Sequence, residues 1–203
     1  MKIICIGRNY VEHARELKNE VPTEPVFFLK PDTSILPPGR AFYIPDFSND
    51  IHYECELVLK VCKEGRHIAE EFAHRYFDQV TVGLDFTARD IQQRQKEKGL
   101  PWEPAKAFDH SAPVGTFIPI EDINDPLRMP FRLEKNGLTV QQGTLEEMIF
   151  SFAKIISHVS RYITLRKGDL IFTGTPKGVG PVKAGDELKG FLEGKQLFIV
   201  KIA

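Results

Sequence analysis

The amino-acid sequence predicts a mixed, β-rich α+β fold. Short runs of alternating apolar and polar residues outnumber the segments that have a helical period. Several of these runs are separated by tight-turn sequences such as Asn136-Gly137, which is a strong hairpin signal. Because no repeat, low-complexity segment or linker interrupts the 203 residues, we expect residues 1–203 to form a single domain.

The N-terminal half is dominated by strands, and the longest of them has one apolar face. Tyr53, Cys55 and Leu57 alternate with polar residues, as expected for a strand that packs one face against a core. The predicted elements of this half are, in order, a strand ending at Gly7, a short helix capped by Asn9 and running to about Lys18, a buried run at 26–29, a strand at 51–61, a helix around 69–76 and a strand at 79–84.

The C-terminal half adds two longer helices and two hairpins. Thr87-Ala88-Arg89-Asp90 has the form of a capping box, and it opens a helix that is expected to stop at Gly99. The later predicted elements are two strands around the Asn136-Gly137 turn within 117–140, an amphipathic helix at 150–162, a strand at 170–173 and a hairpin at 188–202 that turns at Glu193-Gly194-Lys195.

The composition is that of a globular protein with no nucleic-acid or membrane partner. Apolar residues make up 42% of the chain, charged residues 27%, and the formal net charge is −1. No apolar run approaches the roughly 20 residues that a membrane span needs. The N-terminus has one basic residue and a very short apolar run, which favours a first strand over a signal peptide, and a cytoplasmic location.

Three cysteines, Cys5, Cys55 and Cys62, all fall in apolar, strand-like runs. Their odd number and apolar surroundings favour buried free thiols in a reducing compartment over disulfide bonds. Their spacing does not match that of a zinc site, so they contribute no candidate for metal binding.

Three acidic residues, Glu54, Glu56 and Asp85, form the strongest candidate site in the sequence. The two glutamates are two positions apart in a predicted strand, so both carboxylates point to the same face. Asp85 follows directly after a second apolar run. Three converging carboxylates would form an all-oxygen site of the kind that holds Mg²⁺, Mn²⁺ or Ca²⁺.

Each of these acids also has a purely structural interpretation. The glutamates could line the solvated face of a strand, and Asp85 could flank a helix N-terminus. The face that carries the glutamates continues with Val58, which is not typical of a solvated face. Like-charged neighbours also repel each other, and a bound cation would reverse that cost.

A candidate acid–base pair lies near the N-terminus. His13 and Glu16 share a face of the predicted helix, so the carboxylate could orient the imidazole to take a proton from water; a surface polar pair is the alternative. Lys106 would ordinarily be a solvated lysine, but its neighbours are apolar. The glycine-rich loop 174–180 matches neither a phosphate-binding nor a dinucleotide-binding pattern, which leaves a tight turn or a close backbone approach to a small anion.

Five sequence blocks, in their order and spacing, resemble the fumarylacetoacetate hydrolase family, and most closely its small acylpyruvate hydrolase branch. The resemblance spans nearly the whole chain. The blocks are Gly7-Arg8-Asn9-Tyr10, the Glu54-x-Glu56 pair, Asp85-Phe86-Thr87-Ala88-Arg89-Asp90, Lys98-Gly99-Leu100-Pro101-Trp102 and Thr173-Gly174-Thr175-Pro176-Lys177-Gly178-Val179-Gly180.

The resemblance implies a rolled β-sheet core, a homodimer and a site for Mg²⁺ or Mn²⁺. The site residues that it implies are the metal ligands Glu54, Glu56 and Asp85, the catalytic residues His13, Glu16 and Lys106, and the substrate-binding residues Arg89, Gln92 and Thr175. In relatives, the segment that carries the dyad is a mobile lid. The matching residues 12–21 are highly charged here, which suits a segment that becomes ordered on ligand binding.

The activity that the resemblance implies is metal-dependent hydrolysis of a C–C bond in an acylpyruvate, such as acetylpyruvate or fumarylpyruvate. His13, held by Glu16, would activate water, and Lys106 would stabilise oxyanion charge. The same keto-acid site also permits oxaloacetate decarboxylation, which needs no activated water, and 2-keto acid tautomerisation or isomerisation of the 2-hydroxyhepta-2,4-diene-1,7-dioate type. A non-catalytic, metal-stabilised β-domain that binds a ligand or partner is a further alternative.

Overall fold

Alternating apolar residues build strands that are joined mainly by turns and short helices. The computed structural model describes residues 1–16 and 20–203. The strands are β1 (Ile3–Gly7), β2 (Val26–Lys30), β3 (Ile51–Tyr53), β4 (Cys55–Val61), β5 (Phe77–Leu84), β6 (Thr87–Ala88), β7 (Ile118–Pro119), β8 (Phe131–Lys135), β9 (Leu138–Gly143), β10 (Leu170–Phe172), β11 (Gly180–Pro181), β12 (Glu187–Leu192) and β13 (Lys195–Lys201). The helices are α1 (Val11–Glu16), α2 (Arg89–Lys98), α3 (Glu103–Lys106) and α4 (Phe152–Tyr162), with short 3-10 helices at Asp32–Ser34, Glu70–Arg75, Ile120–Asp122 and Leu145–Glu147.

The strands of the described chain form three sheets. The largest has six strands in the order β2-β1-β10-β4-β5-β7, a second has the order β11-β3-β6, and a third has the order β13-β12-β8-β9. Within the largest sheet β1 runs parallel to β10, and its other neighbouring strands are antiparallel. This arrangement agrees with the predicted β-rich α+β class.

The six-stranded sheet is buried on both faces. Leu57 and Leu59 of β4 point into the larger hydrophobic cluster, together with Ile171 of β10. On the opposite face, Val58 packs with Cys5 and Phe172 in a smaller cluster. Because side chains alternate along a strand, Glu54 and Glu56 share the face of Val58 and are carried into the interior. The interpretation of this face as solvated is therefore wrong.

The chain passes from one sheet to another at Glu54. β3 pairs with β6 and β11, whereas β4 pairs with β5 and β10, so the single strand predicted at 51–61 is two strands separated by Glu54. The backbone groups at this break are satisfied by neighbours. Asp85 N donates to Glu54 O at 2.8 Å, and Cys55 N donates to the side-chain oxygen of Gln141 at 2.9 Å.

Both predicted hairpins are confirmed. Asn136 and Gly137 join β8 to β9 with φ of 53° and 81°, the left-handed pair that a type I′ turn requires. Glu193 and Gly194 join β12 to β13 with φ of 48° and 80°. These two hairpins are the whole of the third sheet.

Helices α2 and α4 agree with the predictions except at the N-terminus of α2. α4 is capped by the Ser151 hydroxyl, which accepts from Lys154 N at 3.3 Å, and its apolar stripe is buried in the larger cluster. α2 ends at Gly99 with φ of 63°, as predicted. Its predicted capping box is wrong, because Thr87 is paired with β3 in a sheet and donates to Asp85 O at 3.3 Å.

Other local expectations are also corrected. The run at 26–29 is an edge strand whose Val26 and Leu29 are 37% and 36% exposed, not a buried run. The helix expected around 69–76 is a 3-10 helix at Glu70–Arg75. Cys5 and Cys55 are buried free thiols, but Cys62 follows β4 at the surface and is only half-buried.

Asn9 connects the N-terminal segment to two distant parts of the chain instead of capping α1. Its side-chain amide donates to Thr173 O at 2.7 Å and to Phe150 O at 3.1 Å, and its oxygen accepts from Phe150 N at 2.7 Å. The predicted end of that helix at Lys18 lies outside the described residues. None of the described helices is long and apolar enough to cross a membrane. The single domain and the homodimer stay predictions.

We expect the Asn9→Ala variant to lower the free energy of unfolding by about 3 kcal/mol, because it leaves several buried backbone groups without partners. Urea unfolding followed by Trp102 fluorescence measures this change. Asn49, which is exposed, provides the matched control, and Asn49→Ala should stay within about 0.5 kcal/mol of the parent. A loss below about 1 kcal/mol for Asn9→Ala would contradict the assignment.

Candidate active site

The three acidic residues predicted from the sequence converge. Ligand oxygens of Glu54, Glu56 and Asp85 lie within 4.8 Å of one another, and all three residues are buried. Glu54 stands at the crossing between β3 and β4, Glu56 follows on the same face, and Asp85 comes directly after β5, the antiparallel neighbour of β4. The sheet register therefore brings Asp85 beside the two glutamates.

Cationic side chains surround these carboxylates, and those of Lys30 and Lys106 are buried. Lys106, at the end of α3, donates to Glu54 Oε2 and to Asp85 Oδ2, each at 2.8 Å. Arg89, at the start of α2, donates to Glu54 Oε1 at 2.6 Å. Lys30 Nζ, at the end of β2, lies 2.7 Å from Asp85 Oδ1. These pairs offset a large part of the cost of burying the charges.

The electrostatic environment differs between the two glutamates. Burial raises the pKa of Glu54, but Lys106 and Arg89 outweigh burial and hold that pKa below its usual range. Burial, followed by the charges of Asp85 and Glu54, raises the pKa of Glu56 well above its usual range. The main compensation for Glu56 is Gly174 N, which donates to Glu56 Oε2 at 2.7 Å. Glu56 would thus gain more from a bound cation than Glu54 would.

The three carboxylates fit a hard divalent cation. Their donors are all carboxylate oxygens, which suit Mg²⁺ or Mn²⁺. Asp85 Oδ1 is buried and, apart from the ion pair with Lys30 Nζ at 2.7 Å, has no hydrogen-bond partner among the described residues. The ammonium of Lys106 already bridges two of the three acids, so this group of oxygens stabilises positive charge. Burial lowers the pKa of Lys106, but Asp85 and Glu54 outweigh it and raise that pKa.

His13 and Glu16 form the predicted pair. His13 Nδ1 lies 3.3 Å from Glu16 Oε2. His13 is only 5% exposed and lines the same cavity as the three acids. Burial lowers the pKa of His13 from its usual value, although the charge of Glu54 and the bond to Glu16 act against burial. The imidazole is therefore neutral near pH 7, the form in which it can accept a proton.

The glycine-rich loop 174–180 connects the acids to this pair. Gly174 N donates to Glu56, and Gly178 N lies 3.1 and 3.3 Å from the two carboxylate oxygens of Glu16. Gly178 has φ of 96°, and a Cβ there would lie 2.4 Å from Val140 O, so this position requires glycine. The anions that the loop backbone approaches are carboxylates of the protein itself.

The three residues predicted to contact substrate lie around the same space. Arg89 donates to the side-chain oxygen of Gln92 at 2.7 Å, and its Nε is buried with no acceptor among the described residues. Thr175 donates to Cys55 O at 2.8 Å and accepts from Gln141 at the same distance. The cavity lining comprises Ile6, Gly7, Arg8, His13, Phe28, Glu54, Glu56, Asp85, Arg89, Gln92, Lys96, Trp102, Lys106 and Thr175. Every predicted site residue except Glu16, which contacts His13, therefore lines one cavity.

Lys30 and Gln141 are buried polar residues at this site that sequence reasoning missed. Lys30 ends an apolar strand and is 1% exposed, and it also donates to the Ser111 hydroxyl at 2.9 Å. Gln141 is 2% exposed and ties Cys55 N, Thr175 and the carbonyl of Pro176 together. Lys30 follows an apolar run and Gln141 lies beside other polar residues, so neither sequence pattern identifies a buried partner.

Known proteins with similar sequences carry several related activities. The chain is 46% identical to the mitochondrial oxaloacetate tautomerase FAHD1 of Homo sapiens over 192 residues, which is 95% of this chain and 87% of that protein. It is 44% identical to the mitochondrial oxaloacetate decarboxylase of Dictyostelium discoideum over 189 residues, with coverage of 93% and 87%.

A solved structure and a family model match nearly the whole chain. Fumarylpyruvate hydrolase from Pseudomonas aeruginosa, in complex with Mn²⁺ and pyruvate, superposes with a TM-score of 0.94 at 38% identity and covers 100% of this chain and 89% of that one. This likeness confirms the predicted fold. The model of the fumarylacetoacetate (FAA) hydrolase C-terminal family matches residues 2–198. With the five blocks, the sheet order and these matches in agreement, the chain belongs to the fumarylacetoacetate hydrolase family.

Proposed function

We propose that this protein is a divalent-metal-dependent enzyme that interconverts the keto and enol forms of a 2-keto acid of the oxaloacetate type. The observation that carries the proposal is the position of His13, a buried neutral base held by Glu16 at the cavity lined by the three acids. Tautomerisation needs a base at the carbon beside a carbonyl and positive charge at the carbonyl oxygen. The 46% sequence identity to the oxaloacetate tautomerase of Homo sapiens supports this choice.

Glu54, Glu56 and Asp85 would hold the metal ion. A bound Mg²⁺ or Mn²⁺ would supply Lewis-acid stabilisation of negative charge on the substrate oxygens. The cations of the chain act in the same direction. Lys106 and Arg89 bring donors to the edge of the carboxylate group, where they can also orient an anionic substrate.

His13 would move the proton. Because Nδ1 faces Glu16, the free nitrogen is Nε2, which would take a proton from C3 of the keto form. The electron pair of the broken C–H bond forms the C2–C3 double bond, the π pair of the C2 carbonyl moves onto its oxygen, and the base delivers the proton to that oxygen to give the enol. Glu16 is itself fixed by Gly178 N, so the tautomer and the ring orientation of His13 are set before the substrate binds.

Hydrolysis of an acylpyruvate, the activity expected from the sequence, is the second candidate. The likeness to a fumarylpyruvate hydrolase favours it. In that reaction His13 would take its proton from water, which attacks the distal carbonyl before the C–C bond breaks. Oxaloacetate decarboxylation is the outcome that requires no base at all. Tautomerisation and hydrolysis therefore depend on His13, whereas decarboxylation does not.

We expect His13→Gln to lower the rate of oxaloacetate keto–enol exchange at least about 100-fold, because the base is lost while the carboxylates are unchanged. Exchange is followed by the ultraviolet absorbance of the enol in the presence of Mn²⁺. The exposed His74 gives the control variant, His74→Gln, which should keep the parent rate. Full exchange activity in His13→Gln would contradict the assignment of the base.

The same assay series separates the candidate functions. Acetylpyruvate and fumarylpyruvate are tested for release of pyruvate, and oxaloacetate for release of CO₂. Exchange without C–C cleavage supports the tautomerase. Pyruvate release that is lost in His13→Gln supports the hydrolase, and CO₂ release that survives in this variant identifies a decarboxylase.

We expect Glu56→Gln to weaken Mn²⁺ binding about 100-fold or more but to leave the unfolding free energy of the metal-free protein unchanged or higher, since burial and like charges oppose an ionised Glu56. Glu54→Gln should instead lower the unfolding free energy of the metal-free protein by about 3 kcal/mol, because it breaks the ion pairs with Lys106 and Arg89.

Titration calorimetry with Mn²⁺ and urea unfolding without metal measure the two quantities. Glu147, which is not in the cavity lining, provides a control for calorimetry as Glu147→Gln. Equal destabilisation by the Glu54 and Glu56 substitutions, with Mn²⁺ affinity intact in both, would show that the acids are structural and not metal ligands.

A further inference from the structure

Two cations of the cavity form no salt bridge with the acids among the described residues. Arg8 follows β1 and Lys96 lies on α2, and both side chains line the cavity that contains the three carboxylates. Both residues are half-buried, whereas the acids are buried, so the cations lie at the rim and the acids at the floor. Neither cation has a salt-bridge partner among the described residues, in contrast to Lys106 and Arg89.

The surroundings of Lys96 disfavour its charge. Burial lowers the pKa of Lys96, and the charges of Arg8 and Arg89 lower it further, while Glu54 acts in the opposite direction. Lys96 and Arg8 therefore repel each other at the rim. An anion placed between them would remove this repulsion and would replace it with two attractive contacts.

Apolar walls strengthen any charge interaction at this rim. Lys96 Nζ lies 6.0 Å from the centre of the Trp102 ring, and Phe28 meets the same ring edge to face with centroids 6.0 Å apart. Both aromatic residues line the cavity. The low polarity of the two rings reduces the screening of a charge pair that forms beside them.

The backbone at Arg8 also has a strained conformation. Arg8 has φ of 59°, in the left-handed region that costs a non-glycine residue roughly 1 kcal/mol. The next residue, Asn9, is fixed by its buried hydrogen bonds to Phe150 and Thr173. The fold thus holds Arg8 in an unfavourable conformation directly beside the cavity, an arrangement found at functional sites.

We propose that Arg8 and Lys96 form a subsite for a second carboxylate, which selects 2-keto dicarboxylic acids over 2-keto monocarboxylic acids. The inference rests on the proposed function, which places the 2-keto acid end of the substrate at the carboxylate floor. The distal carboxylate then lies at the rim, where the guanidinium and the ammonium pair with it. A monocarboxylic acid leaves both cations without a partner.

The test compares two ligands of equal chain length, 2-oxoglutarate and 2-oxovalerate, which differ only in the terminal carboxylate. Binding to the Mn²⁺-loaded protein is measured by titration calorimetry, so no turnover is needed. We expect the parent to bind 2-oxoglutarate more tightly. Arg8→Gln and Lys96→Gln should each lower the affinity for 2-oxoglutarate about tenfold. The affinity of each variant for 2-oxovalerate should stay within about twofold of the parent.

Two further variants control the measurement. Arg94→Gln removes an exposed cation from the same helix as Lys96 and should change neither affinity. Arg8→Lys keeps the charge and should keep the preference for 2-oxoglutarate. If the two Gln variants lower the affinity for both ligands equally, or lower neither affinity, the proposed subsite is overturned. If the parent binds both ligands equally, the subsite alone fails; if it binds neither, the proposed function fails and the subsite with it.

Discussion

Three carboxylates buried against one β-sheet impose the constraint on which the rest of the molecule depends. Their lost hydration and mutual repulsion would oppose folding by several kcal/mol if they were left unpaired. The compensating cations come from three separate segments, with Lys30 on β2, Arg89 on α2 and Lys106 on α3. The ion pairs with the acids therefore help to fix where these otherwise remote segments pack around the cavity.

The acidic group could be predicted from the sequence because its geometry is local. Glu54 and Glu56 share a face by the period of a strand, and Asp85 ends the strand that pairs beside them. Lys30 and Gln141 could not be predicted, since their partners lie far away in sequence, at Ser111 and Cys55. A buried lysine or glutamine differs from an exposed one only through such distant contacts.

The same distinction explains the local errors. Thr87 has the sequence of a helix cap, but pairing with β3 engages its backbone before α2 begins. The run at 51–61 has unbroken alternation, and nothing in that pattern shows that the chain changes sheets at Glu54. Asn9 is a good capping residue by type, yet three buried hydrogen bonds in the fold outweigh the single bond that a cap provides.

The loop 174–180 gives the site a fixed internal distance. Gly174 N donates to a floor carboxylate and Gly178 N to Glu16, the partner of the base, so the two backbone groups that anchor the floor and the base are four peptide units apart. Peptide geometry, more than side-chain packing, then sets the reach between them. An insertion of one residue in this span would offset the proton acceptor from the ion site by a sizeable fraction of a substrate's length, so natural variation in this loop should take the form of substitution and not of length change.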